Sequence, residues 1–330
     1  MNLFRKQKPT PQPQNGTTIE KIVYVTRKTP LEGLVQKMNS RAQAQFYLEH
    51  NNISFEEYDR ADQQYQVARK RIEQREPSGV KVQWIDRDLL PTFQFGERDL
   101  VVTLGQDGLV VNVAKYLTTQ PILAVNPDPA RFDGILTPFR ADNYREQVDK
   151  VLAGDYAVEK LSMVQATLND GQVLYGVNDL FIGPRTHGSA RYLLQIAQKQ
   201  EAQSSSGIIV STGVGCSGWL RSITTGAWYV ANYFYRADDD GPPDLDEISL
   251  GWQSENLWYT VREPFISRTS QATMVFGQLE PGQEMTITSQ MPDYGVIFSD
   301  GIESDYLTFN SGAIARIGLA DRRAHLVVAM

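Results

Sequence analysis

The segment Asp99-Leu100-Val101-Val102-Thr103-Leu104 runs apolar after its first residue, with no polar alternation, and stops at Gly105. A strand of this kind is buried on both faces, as in a parallel sheet covered by helices. The helical stretch Leu109 to Leu117 leads to a second such strand, Ile122-Leu123-Ala124-Val125, and then to a Pro/Asp-rich loop, Asn126 to Phe132, which completes a βαβ unit. Upstream, Ile22-Val23-Tyr24-Val25 reads as a short buried strand and Val80 to Ile85 alternates like another. Between them, Leu31 to Arg75 is rich in Gln, Arg and Glu and reads as helical, with a break near Asn51-Asn52 and a stop at Pro77-Ser78-Gly79. The expectation is an α/β nucleotide-binding domain over residues 19–150.

Beyond residue 150 the pattern changes to short strands with turn signals: Tyr156 to Leu168, Asn169-Asp170-Gly171, Gly207 to Ser211, Trp258 to Val261 and Met285 to Thr288. Residues 151–330 therefore read as a mainly β domain, carrying one helix from Trp219 to Tyr235. Residues 1–18 hold Arg5, Lys6 and Lys8 with Pro9, Pro11 and Pro13, and read as a disordered tail. The tail is basic and acid-poor like a transit peptide, but its prolines oppose an amphipathic helix.

At 330 residues and 41% apolar composition the chain has material for two packed cores. A formal net charge of −7 with no Lys/Arg block argues against a nucleic-acid footprint. No apolar run approaches the roughly 18 residues of a membrane span. Cys216 is the single cysteine, which excludes an intrachain disulfide and suits a reducing compartment such as the cytoplasm. His50, His187 and His325 show no metal-ligand spacing, so no protein metal site is expected.

Three segments carry candidate chemistry. Gly105-Gln106-Asp107-Gly108 stands where a parallel strand gives way to a helix, the edge at which open α/β sheets bind ligands. Its carboxylate has the chemistry to accept a proton from a hydroxyl nucleophile, although an Asp-Gly pair after a strand also reads as a plain turn. Gly213, Gly215 and Gly218, between the strand ending at Ser211 and the helix from Trp219, satisfy a dinucleotide fingerprint, but no second clean βαβ unit follows them. Asn178-Asp179 offers donors and acceptors for a base or ribose, or forms an Asx turn. The acidic stretch Asp238 to Glu247 fails as a calcium loop, because Arg236 stands at the first ligand position and Pro242-Pro243 follow the glycine.

The order of these segments resembles the NAD kinase family, and within it the mitochondrial-type branch. Gly105 to Gly108 stands for a Gly-Gly-Asp-Gly motif, Asn126-Pro127-Asp128-Pro129 for an Asn-x-Asp-Pro loop, and Asn178-Asp179-Leu180-Phe181-Ile182-Gly183 for Asn-Glu-x-Phe-Ile-Gly. Ser205-Ser206-Gly207, Thr212-Gly213-Val214-Gly215, Arg262-Glu263-Pro264, Asp300-Gly301 and Phe309 to Ala315 follow in the same order. The resemblance implies an α/β domain and a β-sandwich-like domain meeting at a cleft, a homodimer, and ATP with Mg²⁺ phosphorylating the 2′-hydroxyl of the adenosine ribose of NAD(H). It makes Asp107 the general base or the orienter of that hydroxyl, and lines the phosphate path with Gly105 and Gly108. Asn126, Asn178 and Asp179 would hold the dinucleotide, and the loop with Thr212, Gly213 and Gly215 would close on it.

The departures lie near the chemistry: Gln106 for a glycine, Leu109 for a threonine, Asp179 for a glutamate, and Cys216-Ser217 for a small hydroxyl residue and its neighbour. They leave open a non-catalytic dinucleotide-binding homologue, or a kinase of the wider superfamily acting on a lipid or sugar hydroxyl.

Overall fold

A computed structural model describes residues 18–235 and 248–329. The expected tail, apart from Thr18, and the whole acidic stretch Asp238 to Glu247 lie outside the described residues. The chain forms two compact units, the first reaching Glu159 and taking back the residues from His325 onward, the second running Lys160–Ala324.

In the first unit β1 (Lys21–Thr26), β2 (Lys81–Asp86), β3 (Asp99–Leu104), β4 (Pro121–Asn126) and β5 (Phe139–Arg140) pair in parallel in the order β2-β1-β3-β4-β5. The helices are α1 (Pro30–Met38), α2 (Arg41–His50), α3 (Phe55–Glu73), α4 (Asp107–Ala114) and α5 (Tyr144–Leu152). Each of the first three begins where its sequence caps it: Thr29 in a capping box with Glu32, Ser40, and Ser54. The break near Asn51-Asn52 falls between α2 and α3, where Asn52 takes φ +57°. Tyr65, Ala68 and Ile72 form one stripe of α3 and pack against Tyr24, Leu100, Val102 and Leu104 of the sheet. Every residue of β3 and β4 is buried, which is why their sequences show no alternation. The helix expected at Leu109 to Leu117 starts two residues earlier and ends at Ala114.

The second unit contains most of β6 (Ala157–Leu168), then β7 (Val173–Gly176), β8 (Asp179–Pro184), β9 (Ala190–Ile196), β10 (Lys199–Ser205) and β11 (Ile208–Ser211). After α6 (Trp219–Tyr235) come β12 (Leu257–Val261), β13 (Phe276–Leu279), β14 (Met285–Ser289), β15 (Gly295–Ser299), β16 (Tyr306–Thr308) and β17 (Ile314–Val328). One sheet carries β10-β9-β14-β17 with β6 and β7, the other β13-β12-β11-β8-β15-β16. Their inner faces share one core, with Tyr192, Leu194, Ile287 and Ile317 from the first sheet and Ile182, Ile208, Val210 and Ile297 from the second. That is a β-sandwich, whose half-exposed strands alternate as β9 does.

Candidate active site

In the first unit the chemistry gathers at the carboxyl edge of the parallel sheet. Gly105 donates its amide to the carbonyl of Val125 on β4 at 3.1 Å. A Cβ there would lie 2.9 Å from Leu109 Cδ2, so the missing side chain lets the first turn of α4 close down on β3. Gln106 is the residue before the helix and makes no side-chain cap. Asp107 opens α4, and its carboxylate is engaged by the loop after β4: Oδ2 accepts Ile135 N–H at 3.1 Å, and Oδ1 accepts Leu136 N–H at 3.0 Å and the Thr137 hydroxyl at 3.4 Å. A carboxylate has about four acceptor positions, so one remains for a further donor.

The same loop is held at its start by buried Asn126, whose Nδ2 donates to Phe132 O at 2.9 Å and whose Oδ1 accepts Asp128 N–H at 3.0 Å. Asn126 thus fixes the loop that fixes Asp107. Gly134, at φ +65°, sits between the two: a Cβ would stand 2.5 Å from both Asn126 Nδ2 and Thr137 Oγ1. Gly108 differs from Gly105, being exposed with nothing within 4 Å of a Cβ. Glycine inside a helix costs about 1 kcal/mol relative to alanine, and no packing contact among the described residues explains Gly108.

In the second unit Asn178 closes the turn before β8 and Asp179 opens that strand. The carboxylate of Asp300, a residue at φ +54°, accepts the amides of Val177 at 3.0 Å, Asn178 at 2.7 Å and Asp179 at 3.4 Å. Thr212 is fully buried; its hydroxyl donates to Val177 O and accepts the amide of Val214 at 3.1 Å, while its own amide bonds Asn178 O at 2.9 Å. Gly213 and Gly215 are glycines because backbone crosses them: a Cβ would meet Gly251 O at 2.1 Å in one case and Asn178 O at 2.1 Å in the other. The resemblance to a dinucleotide fingerprint therefore has a packing cause. Cys216 is buried, which pushes its thiol up, and it bonds Thr212 O. Asn178, Asp179, Thr212, Gly213 and Gly215 thus form one cluster.

Within it Asp179 is the exceptional group. It is 6% exposed, and among the described residues its carboxylate accepts no hydrogen bond. Burial above all, and then the charge of Asp300, push it up to about 7. A buried carboxylate left without donors is costly unless a ligand supplies them. Beside this cluster Trp219 stacks on Phe181 at 5.7 Å, and the Arg262 guanidinium lies 5.4 Å from the Trp219 ring centre.

No family model matches the sequence. Among curated proteins, the NAD kinase of Chlorobium phaeobacteroides is 28% identical over 129 residues, covering 38% of this chain and 44% of that one. The NAD kinase of Geobacter is 31% identical over 141 residues, covering 38% and 46%. The matches thus span under half the length of these relatives. Among solved structures, yeast NADH kinase in complex with NADH covers 96% of this chain and 85% of its own at a TM-score of 0.57 and 15% identity. An NAD kinase from Archaeoglobus fulgidus in complex with ATP covers 92% of both chains at 0.53 and 17%.

The fold is that of the NAD kinases.

Within this NAD kinase fold, reading the sequence missed Gly134, Thr137 and the structural part played by Asp300. Gly134 and Thr137 lie in a loop whose composition signals only a turn, and their partner Asp107 is about 30 residues upstream. Asp300 was visible in an Asp-Gly pair, the usual mark of a positive φ, but its partners at 177–179 precede it by more than 120 residues. Among the described residues no group of three His, Cys, Asp or Glu assembles a metal site.

Proposed function

We propose that this protein transfers the γ-phosphoryl group of ATP to the 2′-hydroxyl of the adenosine ribose of NAD or NADH, as an enzyme of the mitochondrial-type NAD kinase branch. The observation that carries the reading is Asp107, held by two backbone amides and a hydroxyl on a motif-bearing turn, with one acceptor position left. Sequence likeness to NAD kinases and a shared fold support it.

In this reading Asp107 accepts the hydrogen bond of the attacking hydroxyl, orients its lone pair toward the donor, and takes its proton as the new oxygen–phosphorus bond forms and the bond to the β,γ-bridging oxygen breaks, releasing ADP. Phosphoryl transfer relies on positioning and charge neutralisation, and Mg²⁺, carried in with ATP, supplies neutralisation when bound. Gly108 leaves room for phosphate at the start of α4. Asp179 receives ribose hydroxyls, which provide the donors its burial has removed, and Asn178 contributes its side-chain amide. Thr212, Gly213 and Gly215 shape the wall behind them. Because Gly105 and Asn126 have packing partners of their own, their contribution is to place Asp107.

We assign the protein to the cytoplasm on its single, buried cysteine, and to a homodimer on α6. Only Leu220 of that helix is buried, whereas Tyr229, Tyr233, Phe234 and Tyr235 are 61%, 81%, 72% and 84% exposed. With about 150–250 Å² per aromatic side chain, these four offer roughly 600 Å², close to the about 800 Å² each partner gives a stable interface. Arg221 is the helix's only charged residue, so a second copy meets no repulsion across a two-fold axis. Light scattering should give twice 37.1 kDa; a monomer at micromolar concentration removes the assignment.

The activity itself is tested by incubating purified protein with ATP, Mg²⁺ and NAD or NADH and assaying NADP or NADPH with a dehydrogenase specific for the phosphorylated form. Turnover is expected. Folded protein that makes neither product contradicts the proposal.

A further inference from the structure

The carboxyl edge of the parallel sheet carries a second feature beside the Asp107 turn. Arg27 follows β1 directly and Arg87 follows β2 directly, and those strands are adjacent, with Thr26 paired to Asp86. On the other side, β1 neighbours β3, whose end leads into Gly105. The Tyr65 hydroxyl joins the two, accepting the Arg27 amide at 3.2 Å and donating to Leu104 O at 3.3 Å. Arg87, Arg27 and the Gly105–Gly108 turn therefore succeed one another along one edge.

Both arginines are half-buried, yet among the described residues neither guanidinium has an ion pair or a hydrogen bond. Neighbouring cations behave otherwise: Lys28 pairs with Asp88 at 3.0 Å and Lys21 with Asp99 at 3.0 Å. The pKa of the Arg27 guanidinium is lowered, first by burial and in smaller part by the positive charge of Arg87 on the neighbouring strand end, with Tyr65 opposing the shift. A guanidinium does not shed its proton at physiological pH, so half-burying two of them at adjacent strand ends with no ion pair among the described residues is unfavourable until an anion arrives. The planar fork suits the paired oxygens of a phosphate.

We propose that Arg27 and Arg87 form the site for the terminal phosphates of the nucleoside triphosphate donor. The inference deepens the kinase reading and rests on it for the identity of the donor. The dinucleotide's own pyrophosphate shares this chemistry and is the competing source. The triphosphate is favoured because it carries more charge, and because Arg27, with Arg87 beyond it, neighbours the turn that starts α4, where the transferred group must meet the hydroxyl held by Asp107.

Calorimetry on the full chain with inorganic tripolyphosphate, ATP and NAD separates the cases. Arg27→Met and Arg87→Met should each weaken tripolyphosphate and ATP binding tenfold or more and leave NAD binding within twofold. Both variants should melt at or above the parent temperature, because an unpaired buried charge has been removed. Equal tripolyphosphate affinity in the parent and both variants, no tripolyphosphate binding by the parent, or a loss confined to NAD each overturns the site. A parent that binds tripolyphosphate through these arginines but forms no NADP defeats the kinase reading and leaves the anion site standing.

Discussion

Two carboxylates in the two units stand in opposite circumstances. Asp107 is partly exposed and bonded to two amides and a hydroxyl, while Asp179 is buried and its carboxylate accepts no hydrogen bond among the described residues. The first is held in place before any ligand arrives, at low cost, because its charge is solvated by the loop. The second accepts no hydrogen bond from the described residues, and burial holds its carboxyl up to about 7. Under the proposed function, the contrast separates a preorganised reacting group from a group whose stability is coupled to ligand.

The largest expected effect breaks the first half of the contrast. Asp107→Asn keeps size and one acceptor oxygen but loses basicity, so kcat should fall by about two to four orders of magnitude. NAD binding should change little, because one neutral hydrogen bond is worth only about 0.5–1.5 kcal/mol. Steady-state kinetics with direct NAD titration checks both; turnover within a few-fold of the parent would make Asp107 a turn residue.

Next comes the scaffold behind it. Gly134→Ala puts a Cβ into Asn126 Nδ2 and Thr137 Oγ1 at a positive φ, which costs on the order of 1–3 kcal/mol. The loop bonds to Asp107 should loosen, lowering kcat tenfold or more with NAD affinity kept. Unchanged kcat would show that the loop does not position the carboxylate.

Asp179 gives a smaller, pH-dependent effect. Its folded pKa, pushed up to about 7, lies above the unfolded carboxylate value of about 3.9, so the native state binds the extra proton between them. Stability should therefore fall as pH rises from about 4 through 7, and Asp179→Asn should flatten that slope and melt higher at pH 8. Ribose hydroxyls stabilise the anion, so NAD should bind several-fold more tightly at pH 8 than at pH 6, in the parent alone. Tighter binding at pH 6 would mean that the ligand prefers the protonated acid.

The smallest effect belongs to Gln106, whose side chain makes no cap and stands beside the turn. Gln106→Gly should raise turnover or lower the ATP requirement up to a few-fold, as initial rates across ATP concentrations will show. A fall would make Gln106 a working part of the site.

Legibility in the sequence follows the range of the interaction. β3 and β4 were legible because burial on both faces leaves an uninterrupted apolar run, and α6 because its bounds lie between Gly218 and an acidic stretch. Asp107 was legible as a residue type at a strand-to-helix turn. Its three partners were not, since loop geometry decides which amides reach back. The packing cause of the glycines at 213 and 215 was not legible for the same reason: the backbone that crosses Gly213 comes from Gly251, and no local pattern encodes that approach. The isolation of Asp179 is a property of its surroundings, invisible in a dipeptide that reads equally as an Asx turn.

The most direct measurement follows the label from γ-³²P-ATP in a single turnover with NAD, Mg²⁺ and either the parent or Asp107→Asn. The account predicts that the label appears on the 2′-position of the dinucleotide with the parent and is nearly absent with the variant. Label released only as inorganic phosphate, or transferred equally by both proteins, would contradict it.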